Sequence, residues 1–179
     1  MEIHNQGLQP QCQRQTRHAK WKKLEGGWVK CNYDASHHEG NRDSGLGWII
    51  RNSTGIFLHG GMGRFQGRAT PAEAECTALL WAIQATWANG YRRIDFEGDN
   101  LTITQLLQSR EATPRLHYLN TIQQWRSMFT DIRFSFRHRE QNSCADILAK
   151  QALNNSHHFK LYHSCPAFLL SAVNNDCGP

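Results

Sequence analysis

The chain has 179 residues, 39% of them hydrophobic and 20% charged, which is room for one domain with a sizeable core and too little for two large ones. Six Trp and eight Phe exclude a wholly disordered chain, and no apolar run approaches the ~20 residues of a membrane helix. The net charge of +5 is uneven: residues 1–30 carry +4 through Arg14, Arg17, Lys20, Lys22, Lys23 and Lys30 against Glu2 and Glu25.

Residues 1–27 read as a basic, Gln-rich leader or linker closed by Gly26-Gly27. Such a segment suits a polyanion partner or serves only as a solubilising tail, and both readings stay open. The folded body follows at once. Val29, Cys31 and Tyr33 alternate with Lys30, Asn32 and Asp34, the period-two pattern of a half-buried strand. A polar loop leads to GLGWIIRN, and Asn52–Gly55 turns the chain into IFLHGG, so three short-linked strands predict an antiparallel meander. At Thr70-Pro71 the pattern changes. Thr70 is a helix cap with Pro71 in the first turn, and Cys76, Leu79, Leu80, Ile83 and Trp87 recur at helical spacing until Gly90. Ile94 and Phe96 mark a fourth strand, Asn100–Ser109 a short helix and Pro114–Phe129 another. Ile132, Phe134 and Phe136 mark a fifth strand, and Asn142 or Ser143 caps a last helix through Leu153. The order βββ-α-β-α-α-β-α predicts an α/β domain over 28–155. Its mixed five-stranded sheet has three antiparallel strands, then helix-linked ones, with helices on its faces. Residues 156–179 read as an irregular C-terminal tail.

The six cysteines form no CxxC pair, and the N-terminus lacks the apolar stretch of a signal peptide. Reduced thiols are expected. The chain is read as intracellular, cytoplasmic or nuclear rather than secreted, without a membrane partner, and monomeric. His157, His158, His163 and Cys165 match no familiar zinc spacing.

The informative acids stand at element ends. Asp34 ends the first strand, Glu75 lies in the first turn of the long helix, Asp99 follows the fourth strand, and Asp146 lies one turn inside the last helix. From such places four carboxylates can converge at one sheet edge, where they repel unless cations offset them. Hard oxygen ligands select Mg2+ or Mn2+. Two such ions, roughly 3.5–4 Å apart, activate water and stabilise a leaving oxygen in phosphodiester hydrolysis. The competing reading makes these ordinary capping and helix-dipole acids.

YDAS (Tyr33–Ser36), GLGWIIRN (Gly45–Asn52), AEAECTALLWAI (Ala72–Ile83), FEGDN (Phe96–Asn100) and HREQNSCADILAK (His138–Lys150) occur in that order, each on its predicted element. Together they resemble the type 1 ribonuclease H family. The likeness is greatest to its plant branch, found alone and at the ends of non-LTR retroelement reverse transcriptases, and it covers Trp28 to Leu153. The resemblance implies a ribonuclease H-like fold and cleavage of the RNA strand of an RNA–DNA hybrid with two Mg2+ ions, for which Mn2+ substitutes. Asp34 and Asp99 would be the central ligands. Glu75 would serve the ion near the leaving group, and Asp146 the ion that activates water. Ser36, Asn100 and Asn142 are the candidate hybrid contacts; Asn100 and Asn142 compete for a cap or turn role, and Arg64 and Arg68 flank the start of the long helix. The chain departs from the family pattern at Ala35, where Gly is frequent, and at Gly98, where Ser is common. Its loop before the last acid is short, and His138 in that loop is a candidate for assisting product release. Arg110, Arg115 and Arg126, partly offset by Glu111, make no dense basic cluster. The alternative is therefore a catalytically weak or inactive, retroelement-derived binding module.

Overall fold

The computed structural model describes residues 22, 24–37, 43–67, 69–109 and 117–176. Most of the leader, Cys12, His38, Arg68, the 110–116 stretch with Arg110, Glu111, Pro114 and Arg115, and Cys177 lie outside the described residues. Six strands follow the chain: β1 (Val29–His37), β2 (Asp43–Asn52), β3 (Phe57–Gln66), β4 (Arg93–Gly98), β5 (Asp131–Phe136) and β6 (Phe159–Tyr162). They form one sheet of order β5-β4-β1-β2-β3-β6. The β1-β2-β3 meander is antiparallel, as the short connections predict, while β4 and β5 run parallel on the other side of β1. The helices are α1 (Pro71–Ala88), α2 (Leu101–Ser109), α3 (His117–Trp125), α4 (Ser143–Asn154) and α5 (Ala167–Asp176). Thr70 caps α1 in a full capping box with Glu73.

Two features correct the sequence reading. The sheet has six strands rather than five, because the segment read as an irregular tail forms β6 and α5. Four residues are too few to declare a period. What creates β6 is its partner: it pairs with Gly60–Gly63 of β3, where the glycines leave room for aromatic rings to lie against the sheet. A Cβ on Gly61 would meet Trp48 at 2.2 Å, and one on Gly63 would meet Trp81 at 2.2 Å. Phe159 of β6 then joins both indoles, with ring centroids 5.9 and 5.6 Å away.

The second correction concerns β1, which is buried on both faces rather than one. Cys31 and Tyr33 enter a core with Leu79 and Ile83 of α1, and with Trp48, Ile50 and Phe96. A second core, of Ile49, Met62, Cys144, Leu148, Leu169 and Val173, lies under α4 and α5. The polar residues of β1 are buried too, in rungs across the sheet. Lys30 stands between Asp95 and Arg51, Asn32 between Glu97 and Ile49, and Asp34 beside Gly47. Lys30 Nζ lies 2.9 Å from Glu97 Oε1, and Asn32 joins Glu97 and Arg51 through its amide at 3.1 and 2.8 Å. Alternating polarity signals two faces; it does not say that one of them is satisfied internally rather than by water.

α4 approaches this face through small residues. A Cβ on Gly47 would lie 2.4 Å from Ala149 N and 2.6 Å from Ala145 O, and one on Gly45 would lie 1.9 Å from Ala149 O. Both obstacles are backbone, so α4 would have to move. Gly47→Ala is expected to lose about 2 kcal/mol of stability. In denaturant titration this should appear as a lowered midpoint with an unchanged slope; a variant as stable as wild type would refute the close packing.

Candidate active site

Four elements deliver acids to one end of the sheet. Asp34 lies inside β1 rather than at its end as the sequence suggests, because the strand goes on pairing with β2 as far as His37 opposite Ser44. Its Oδ1 accepts the N–H of Ala35 at 2.9 Å. Glu75 comes from α1 and accepts the same N–H at 3.3 Å through Oε1. Asp99 follows the end of β4. Among the described residues, Asp34, Glu75 and Asp99 are the one group of three or more His, Cys, Asp or Glu side chains poised for a metal, with ligand atoms all within 4.8 Å of one another. Asp146, in the first turn of α4, lies close enough for its charge to act on both Asp34 and Asp99. The Gly45 and Gly47 surface of β2 admits that helix.

The electrostatics are those of acids forced together. Burial, then the charges of Asp99 and Asp146, push the Asp34 carboxyl up to about 7. Glu75 is raised well above the usual carboxylate range by burial and then by Asp34 and Asp99. Its Oε2 is buried and has no hydrogen-bond donor. A buried, unpartnered carboxylate oxygen beside two further carboxylates is what a hard divalent cation would complete. The donor set fits Mg2+ or Mn2+, with Asp34, Glu75 and Asp99 able to hold one ion between them.

Two exposed cations stand at the rim. Arg139 Nε lies 3.6 Å from Asp99 Oδ2, with its side chain 76% exposed. Lys150 Nζ lies 2.7 Å from Asp146 Oδ2. Burial raises Asp99, and Arg139 partly offsets that rise.

The remaining candidates are placed as follows. Ser36 is largely buried on β1, two residues beyond Asp34 and on its face. Asn100 caps α2, its Oδ1 accepting the N–H of Ile103 at 3.1 Å. Asn142 is buried, and its amide donates to the Tyr33 carbonyl at 2.9 Å, fastening the start of α4 to β1 one residue before Asp34. It makes no side-chain cap on α4. His138 is exposed, with its ring 5.2 Å from that of Phe136. Arg64 donates to the carbonyls of Leu153 and Asn155, so it closes the end of α4. Gly98 is explained by Tyr33: a Cβ there would lie 2.5 Å from the tyrosine ring. Sequence reasoning missed Gly47 and Arg139. The first had a signal, Gly at alternate positions of a strand, which marks close approach; a lone exposed arginine has none.

Residues 32–152 match the family described as reverse transcriptase-like. The chain belongs to that family. The chain is also similar to a Ribonuclease HI of Halobacterium salinarum, 28% identical over 134 residues, covering 73% of this chain and 67% of the relative. Among solved structures, RNase H1 from the same archaeon superposes with a TM-score of 0.64 at 25% identity, over 71% of this chain and 98% of the other. LC11-RNase H1 in complex with RNA/DNA hybrid gives 0.64 at 21% identity, over 70% and 96%, and so speaks for the fold alone. The fold is that of ribonuclease H, and the homology supports a ribonuclease H-type function.

The raised carboxyls make a stability prediction. A carboxyl raised on folding binds its proton more tightly in the native chain, so its contribution is full below the unfolded pKa and is lost as pH rises through the folded one. For Asp34 that window runs from 3.8 to about 7. Metal-free protein should therefore lose stability as pH rises across it, and Asp34→Asn should gain on the order of 2 kcal/mol at pH 8. Thermal melts in EDTA between pH 5 and 8 check this; parallel curves for the two proteins would contradict it.

Proposed function

We propose that this chain is an endoribonuclease that hydrolyses the RNA strand of RNA–DNA hybrids with two divalent metal ions. The observation that carries the reading is the Asp34–Glu75–Asp99 cluster with its unpartnered Glu75 oxygen, in a chain of the reverse transcriptase-like family. LC11-RNase H1, which shares the fold, was solved in complex with RNA/DNA hybrid, and this supports the substrate class.

Bound divalent ions would supply a hydroxide nucleophile and stabilise the leaving oxygen. Asp34 and Asp99 would hold both ions from the centre, Glu75 the one on the leaving-group side, and Asp146 the one on the nucleophile side. Burial of Asp34 and Glu75, both accepting the Ala35 N–H, fixes their geometry before substrate arrives. Hybrid recognition would run through phosphate and 2′-hydroxyl contacts rather than base edges. Ser36 is the candidate contact nearest Asp34 in the chain, whereas Asn100 and Asn142 are engaged by the α2 cap and the Tyr33 carbonyl. His138 is proposed to assist product release from its exposed place on the loop before Asp146.

A second reading, a weak or inactive binding module, draws on the cations already present: Arg139 and Lys150 neutralise Asp99 and Asp146 in part. Both are exposed, and exposed pairs of this kind contribute about 1 kcal/mol or less, so they yield readily to a divalent ion.

Cleavage of an end-labelled RNA–DNA hybrid with Mg2+ or Mn2+, run beside Asp34→Asn and Asp99→Asn, decides between them. The expected result is metal-dependent cutting of the RNA strand only, reduced by at least about a thousandfold in both variants. Hybrid binding without turnover by folded wild-type protein would favour the second reading.

A further inference from the structure

The last residue of α5 is Asp176, at the end of a helix where the backbone dipole opposes a negative charge. Its side chain is nevertheless only 10% exposed, and its Oδ2 lies 2.9 Å from Nη1 of the fully buried Arg51. The Cys144 thiol of α4 donates to the same oxygen at 3.3 Å. Arg51 Nη2 in turn donates to Asn32 Oδ1 at 2.8 Å, and Asn32 Nδ2 donates to Glu97 Oε2 at 3.1 Å. Glu97 Oε1 lies 2.9 Å from Lys30 Nζ and 2.6 Å from an Arg137 nitrogen. The Arg137 backbone N–H donates to the Gly98 carbonyl at 2.9 Å. One continuous path thus runs from α5 to β1, which carries Asp34, and to β4, which Asp99 follows. It ends one residue before Asp99 on β4 and two residues before Asp34 on the same face of β1.

We propose that Asp176 is a positioning residue for the divalent-metal site. It fixes Arg51, Arg51 fixes which end of the Asn32 amide faces Glu97, and the row so ordered supports Asp34 and Asp99 from below. Outer-shell partners of this kind set both the orientation of ligands and the local charge. Removing the Asp176 carboxylate adds one positive charge to the row directly beneath a site that must bind cations. The residue lies outside the family-matched stretch 32–152, so the segment after α4 completes the site floor as well as the sheet. The inference rests on the reading of the acid cluster as a metal site.

Calorimetric titration of the full chain with Mn2+, without nucleic acid, tests it, beside Asp176→Asn, Asp176→Glu, Arg51→Lys and a packing control, Leu169→Ala. Asp176→Asn should weaken Mn2+ binding about tenfold. Asp176→Glu should restore it to within about twofold of wild type, on the same grounds. Leu169→Ala should lower the melting temperature without changing the affinity. Arg51→Lys keeps the charge and loses the bridge to Asn32; it carries the test if Asp176→Asn does not fold, and it should weaken binding as well. Wild-type affinity in Asp176→Asn or Arg51→Lys overturns the proposal, as does equal weakening in Leu169→Ala or no Mn2+ binding by the wild type. Hybrid cleavage assayed in parallel separates the two ideas. Mn2+ affinity that depends on Asp176 in a chain that cuts no hybrid would sink the nuclease reading and leave this one standing.

Discussion

Everything at the working end of this protein depends on burying charge on one face of a β-sheet. In the lower rungs of that face the protein supplies its own counter-ions: Lys30 and Arg137 against Glu97, and Arg51 against Asp176. At the top rung it supplies acids. Asp34, Glu75 and Asp99 crowd together, with the rim cation Arg139 beside Asp99. Carboxylates buried beside one another are costly, and the rise of Asp34 and Glu75 above their ordinary range expresses that cost. The change from internally paired to crowded, like-signed charge is what marks one end of the sheet as the candidate site.

Packing on the two sides of the sheet serves that end. On the α1 side, a capping box starts the helix and brings Glu75 to the Ala35 N–H that Asp34 also uses. On the α4 side, two strand glycines let Ala145 and Ala149 rest directly on β2, which brings Asp146 alongside. Asn142 fastens the same helix to β1. The departure at Gly98 also has a physical account, because the Tyr33 ring occupies the space a side chain would need. Tyr33 itself is buried, and burial raises its hydroxyl well above the ordinary range.

Much of this was legible in the residues. The meander, the capped α1, the β4 and β5 strands and the start of α4 followed from periodicity and punctuation, because each is fixed by local chemistry. The side-chain cap expected on α4 is absent, since the Asn142 amide turns to the Tyr33 carbonyl instead. The four acids were legible as carboxylates near element ends; the structure brings Asp34, Glu75 and Asp99 within 4.8 Å of one another, and leaves Asp146 outside that group. The C-terminal β6 and α5 were not legible. β6 exists because Gly60–Gly63 offer it an edge, and α5 because Leu169 and Val173 find a core that β2, β3 and α4 build. Neither partner is near in sequence.

The sequence by itself determined which faces the strands have, where the helices start, and that Glu75 and Asp146 stand near those starts, since these follow from side-chain alternation, caps and breakers. Only the tertiary structure decided that the polar face of β1 is buried and ion-paired, that Arg51 finds Asp176 at 125 residues' separation, and that Asn142 turns to the Tyr33 carbonyl. These outcomes depend on which groups meet after folding, and the balance between desolvation and pairing exists only where they meet.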